Sequence, residues 1–184
     1  MNMTPRNLVL LFGAIALGLV VGFAFPLVGL LLLVPVVGFV LFVLFRNKGG
    51  SEADEATAAQ ARQFSATAGK AAIYVMRKGF VAGQQGMNVT IDADRTTQFR
   101  TGRFVKAEVA PGQHTIEAQM ASQTKGTALV HTVDLAEGEC VLLDAKLNMG
   151  ALRGSIEFLE TREANEARSK LAGLKLVEWK ASAE

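Results

Sequence analysis

Two hydrophobic rhythms divide this chain. From Asn7 to Phe45 apolar residues run on without a single charge, whereas from Ala71 onward they fall into short alternating runs separated by turn residues. A helix rises about 1.5 Å per residue and a bilayer core is roughly 30 Å thick, so some 20 apolar residues make one crossing. The first run is therefore too long for one span. Near its middle stand Phe25-Pro26-Leu27-Val28-Gly29, where Pro26 lacks a backbone donor and biases Phe25 away from helix, and Gly29 permits a turn. The pattern predicts a membrane hairpin within residues 1–48, with helices from about Leu8 to Ala24 and Val28 to Phe45 and a kink at Pro35.

The second rhythm predicts an antiparallel sheet with one buried face. Strands are expected at Ala71 to Met76, Asn88 to Asp92, Thr97 to Phe99, Arg103 to Ala110, Gln113 to Ala121, Thr127 to Leu135, Cys140 to Leu147 and Leu152 to Leu159. Ala110-Pro111-Gly112 and Ala136-Glu137-Gly138 mark tight hairpins, and Gly83 to Gly86 a longer loop. Seven to eight antiparallel strands over residues 71–159 suffice for an all-β sandwich. Between hairpin and sandwich, residues 49–70 form a linker in which Ser51 is a candidate N-cap for a short, solvated, alanine-rich helix reaching about Ser65. Residues 160–184 carry a C-terminal helix, about Thr161 to Ala172 with Gly173 after it, and an apolar tail from Leu174 to Trp179.

Charge follows the same division. Of 19 Lys and Arg, only Arg6, Arg46 and Lys48 lie in the first 50 residues, which hold no acid; the remaining 16 basic residues face 17 acidic ones. The polar part is thus close to neutral, and the basic pI gives no footing for nucleic-acid binding. Arg6 before the hairpin and Arg46 and Lys48 after it place both ends on the cytoplasmic side of a bacterial inner membrane. A single true span would instead put the sandwich in the periplasm. The length of the apolar block, with the chain starting at Met1, argues for an anchor over a cleaved signal peptide. A lone cysteine, Cys140, excludes an intramolecular disulfide framework and a cysteine-rich metal site.

The segments Ala72-Ile73-Tyr74-Val75-Met76-Arg77, Asn88-Val89-Thr90-Ile91-Asp92, Gly102-Arg103-Phe104 and Pro111-Gly112-Gln113-His114-Thr115-Ile116-Glu117-Ala118 resemble a bacterial family of small β-sandwich domains of unknown function. These domains are lipidated or membrane-anchored and are similar to the PEGA and carboxypeptidase-regulatory-like groups. The resemblance covers about Lys70 to Arg168. It implies a fold and an anchoring habit and carries over no catalytic residue; a lipidation cysteine is missing here.

Residues that could carry chemistry are sparse. Ion pathways through a bilayer need ionisable groups, and Leu8 to Phe45 contains none, so transport is not expected. Ala14, Gly18 and Gly22 repeat every four residues, a small-residue stripe that suits helix packing within the hairpin or onto a partner helix. His114 and His131 both fall in strands; without a third ligand they make a weak metal site. Cys140 alternates with apolar neighbours and reads as a buried small hydrophobe. Glycines 79, 83 and 86 lack the Gly-Lys-Ser/Thr ending of a phosphate loop. The Asn88-Val89-Thr90 sequon lies within a strand.

Arg77, Lys78, Arg95, Arg100, Arg103 and Lys106 form a basic stretch, a solvated face or a contact with anionic lipid or an acidic partner. Arg77, Lys78, Arg100 and Arg103, with Trp179, are the candidate contact residues. No catalytic residue, cofactor, metal, nucleic acid or small-molecule substrate is expected; membrane lipids and other integral membrane subunits are. The sequence points to a non-catalytic accessory or scaffolding subunit of a larger inner-membrane complex, of a photosynthetic or respiratory kind. The other reading is a stand-alone envelope module that binds polysaccharide, peptide or lipid.

Overall fold

A computed structural model describes residues 22, 24–46, 50–79, 85–121, 128–149 and 154–180. The chain divides into two compact units, residues 1–45 and 46–184.

In the first unit helix α1 spans Pro26–Arg46, with Pro35 inside it. Of the expected hairpin only this second arm is described: the first arm lies outside the described residues apart from Gly22 and Ala24, and no hairpin is found among them. Among the described residues no helix is long and apolar enough to cross a membrane. The α1 backbone is helical for 21 residues, or about 31 Å at the usual rise. Described α1 side chains such as Leu27, Leu30, Leu31, Val34 and Val36 are exposed.

The second unit is mostly β-sheet. One sheet has five strands in the order β8-β7-β1-β4-β9 and the other four in the order β3-β2-β5-β6. The strands are β1 Ala71–Arg77, β2 Met87–Ile91, β3 Arg95–Phe99, β4 Arg103–Val109, β5 Gly112–Met120, β6 Leu129–Leu135, β7 Cys140–Met149, β8 Gly154–Thr161 and β9 Lys175–Leu176. The sheets enclose one core, to which alternate residues contribute: Ile73 and Val75 from β1, Val89 and Ile91 from β2, Ile116 and Ala118 from β5, Val141 and Leu143 from β7.

Three features depart from the expected all-antiparallel sandwich with one buried face per sheet. First, β1 pairs antiparallel with β4 but parallel with β7, and β4 pairs parallel with β9. Second, a ninth strand, β9, comes from the tail segment. Third, the five-stranded sheet is covered on both faces. On its outer side Ala72, Tyr74, Met76, Phe104 and Leu142 pack against Ala58, Ala61, Phe64, Ala167 and Leu171. Every residue of β1 is consequently buried. The near-continuous apolar runs of β1 and β7 are what a parallel pair covered on both faces requires.

The outer layer consists of α2, Glu55–Ala61, and α3, Ala164–Leu171. The segment expected as a solvated spacer is therefore packed. The N-cap of helix α2 is Asp54, three residues after Ser51, accepting from Thr57 N at 2.9 Å. Ser51 and Glu52 are held extended instead: Ser51 O accepts from Glu178 N at 2.9 Å, and Glu52 bridges Val177. The Arg62 guanidinium donates twice to Leu174 O, and Arg168 Nε donates to Gln63 O, joining the two helical segments. Strand β8 runs on through Thr161, so α3 starts later than expected, capped by Glu163. Gly173 takes a φ of +73° at the helix exit, a conformation suited to glycine.

Candidate functional site

Several residues singled out in the sequence are structural. His114 Nδ1 lies 2.6 Å from Asp92 Oδ2 and Nε2 lies 2.7 Å from the Ala110 carbonyl oxygen. Asp92 Oδ1 accepts from Thr115 N at 2.9 Å. Both ring nitrogens are thereby committed to partners within the fold. His131 stands on the neighbouring strand, opposite Ile116, with Nε2 3.4 Å from Glu160 Oε2 and its ring edge-on to Phe158. The two histidines thus have separate partners. Among the described residues no group of three or more His, Cys, Asp or Glu could hold a metal ion.

Cys140 is buried against the Tyr74 side of the sheet, and burial pushes its thiol pKa up. Tyr74 donates to Ser65 O at 3.1 Å and accepts from Ser65 N at 3.2 Å, while burial raises its phenol pKa. Both side chains are parts of the core and not reactive groups.

The basic stretch does not form one face. Arg77 is only 1% exposed, its Nη1 donating to Gln85 O at 2.6 Å, so this candidate contact residue presents no surface. The reason is alternation: Arg77 follows Ile73 and Val75 on the inner face of β1. Arg95 donates to Glu108 O and Lys106 pairs with Glu108. Arg103 shares the Glu52 carboxylate with Lys175, and these two cations hold the Glu52 carboxyl below the usual range. Arg100 is half-buried in the turn between β3 and β4. Trp179 is half-buried against the inter-sheet core and donates to Lys106 O at 2.6 Å. Gly22 is helical, and a Cβ there would meet nothing within 4 Å; Ala14 and Gly18 lie outside the described residues.

Of the candidate contacts, Lys78 remains exposed and has no hydrogen bond or ion pair among the described residues. It borders a cavity of about 320 Å³ that Arg77, Asp144, Lys146 and Asn148 also line. Parallel pairing creates this place. Met76 stands beside Asp144 in register, so the C-terminal end of β1 and the middle of β7 meet. Asp144 is 8% exposed, and its Oδ1 is buried with no hydrogen-bond partner among the described residues. Burial pushes its carboxyl pKa up, while Lys146, Lys170 and Lys78 pull the other way. An orphaned buried carboxylate is costly, and sequence reading missed it. The available signal was one acid within the apolar run Val141-Leu142-Leu143-Asp144-Ala145.

A second hollow, of about 370 Å³, lies between α2 and the β4–β9 edge and is lined by Thr57, Gln60, Lys106, Glu108 and Trp179. Of its charged lining residues, Lys106 and Glu108 neutralise each other at 2.9 Å, and Glu178 accepts from Ser51 Oγ at 3.1 Å. No family model matches this chain, and no curated protein matches it.

Proposed function

We propose that the chain is a membrane-anchored, non-catalytic accessory or scaffolding subunit of a larger inner-membrane assembly, whose sandwich makes contacts with other proteins. The observation that carries this reading is α1. Its sequence, PLVGLLLLVPVVGFVLFVLFR, is apolar on every side, and the exposed positions Leu30, Leu31, Leu33 and Val36 are spread around the helix circumference. A helix that is hydrophobic all round needs an apolar surrounding, either a protein core or lipid. Support for a non-catalytic role comes from His114, both of whose ring nitrogens face partners within the fold. The kinship with anchored sandwich domains belongs to this same proposal, as does a cytoplasmic position for the sandwich.

Two measurements test it. Alkaline carbonate washing of membranes should leave the chain in the pellet, and release into the supernatant would refute the anchor. Extraction in mild detergent should then yield a complex with further subunits. Migration as a single species would refute the scaffold role while leaving the anchor intact.

A further inference from the structure

We propose that the cavity at the β1–β7 end of the sandwich binds a phosphate group that still carries a proton, either inorganic phosphate or a phosphate monoester. The proposal stands apart from the anchoring reading, since it uses only residues of the second unit.

The charges decide the sign of the occupant. Arg77, Lys78 and Lys146 line the cavity against one carboxylate, Asp144. Arg77 is buried and committed to Gln85 O, so an added cation would meet the two exposed ammoniums of Lys78 and Lys146, and the complementary ligand is an anion. Neither Lys78 nor Lys146 has an ion-pair partner among the described residues, and an ammonium is a ready point charge for a phosphate oxygen.

Asp144 decides which anion. Its Oδ1 is buried, lacks a partner among the described residues and, as a carboxylate oxygen, only accepts. A fully deprotonated anion placed there would be repelled by the carboxylate. An anion with one remaining hydroxyl donates that hydrogen to the Asp144 carboxylate that lines the cavity, while its other oxygens face the lysines. Phosphate monoesters have a second pKa near 6, so a protonated fraction persists around neutrality, whereas sulfate has no hydrogen to give. Strand geometry brings the groups to one point: Lys146 is two residues beyond Asp144 and shares its face, and Lys78 is two beyond Met76, which pairs with Asp144. The volume lies at the small end of ligand cavities, fitting a phosphate with a few attached atoms.

The test is a titration of the full-length protein in mild detergent with inorganic phosphate and with sulfate at matched ionic strength, followed by calorimetry and thermal unfolding. A hydrogen bond to a charged acceptor is worth about 10-fold or more in affinity, so phosphate should bind at least that much more tightly than sulfate. Asp144→Asn can donate as well as accept and should remove or invert the preference. Replacing Lys78 and Lys146 together by alanine should weaken both anions. Glycerol 1-phosphate and vesicles containing phosphatidic acid separate the sources: response to the former alone assigns a soluble monoester, and response to the vesicles alone a lipid headgroup. Equal responses to phosphate and sulfate by the unmutated protein would overturn the proposal. So would no response to any phosphate probe, or an Asp144→Asn protein that keeps the preference.

Discussion

Asp92 and His114 clamp two neighbouring turns together: the carboxylate at the tip of the β2–β3 hairpin holds Nδ1, while Nε2 reaches the Ala110 carbonyl before the β4–β5 turn. Asp92 and Ala93 both adopt positive φ, at 52° and 56°, which non-glycine residues rarely do. The contact therefore holds a turn whose backbone is otherwise unfavourable. Truncating either partner should cost about 1–2 kcal/mol, and a double-mutant cycle of Asp92→Ala with His114→Ala, read by denaturant unfolding, should show coupling. Additive effects would mean that the clamp contributes nothing.

Asp144 should act in the opposite direction. Without a ligand it is a buried acid on β7 whose Oδ1 has no hydrogen-bond partner among the described residues, so Asp144→Asn should stabilise the protein by about 1 kcal/mol or more in phosphate-free buffer. The pH dependence carries a definite sign. Burial raises the Asp144 pKa above its ordinary value of 3.8, so the folded state holds that proton more tightly than the unfolded chain. Its contribution is most favourable at low pH and is lost as pH rises through the elevated value. Urea unfolding above pH 4 should show this downward slope in the parent and its loss in Asp144→Asn.

Surface carboxylates work the other way. Glu52 and Glu108 are held below 4.5 by their cationic partners, so their stabilisation is present above that value and fades as pH falls through the lowered ones. Both pairs are partly exposed and salt-screened, so each is worth well under about 1 kcal/mol. Raising salt at pH 7 should accordingly shift the melting temperature by only a few degrees.

Much of this fold was legible beforehand because its two periodicities are clean. The alternation through Gln113-His114-Thr115-Ile116 and the turn residues Pro111 and Gly112 locate β5 to within a residue. Parallel pairing was not legible: nothing local in Ala71–Arg77 says that its neighbour is Cys140–Met149, and the cavity exists only through that pairing. Both helices were legible, but the packing of α2 onto the sheet was not, for a related reason. Ala58 and Ala61 have little apolar surface of their own, yet small side chains let α2 lie close to Tyr74 and Phe64.

Tyr74 offers a check on that layer. Tyr74→Phe keeps the ring tilted against Phe64, centroids 4.9 Å apart, but strips both hydrogen bonds from Ser65. A loss of about 1–2 kcal/mol is expected, with faster amide exchange at Ser65 and little change in the inter-sheet core. Unchanged exchange at Ser65 would refute the assigned contact.

Gly50 is a second sensitive point. A Cβ there would fall 2.5 Å from Val177 Cγ1 and 2.9 Å from Thr97 Oγ1. Gly50→Ala should cost about 1–3 kcal/mol through overpacking, measurable as a lowered melting temperature. Pairing it with Val177→Ala should recover part of the loss.

The bridge between Glu52 and Val177 also sets an order of events. Ser51 and Glu178 are 127 residues apart, and closing so long a loop carries an entropic cost that shorter hairpins such as β4–β5 avoid. Val177 belongs to the inter-sheet core and Trp179 packs against it. During synthesis, then, the sandwich waits with one side unsealed until the ribosome has passed Trp179, and the seam that closes last is the one that joins the beginning of the domain to its end.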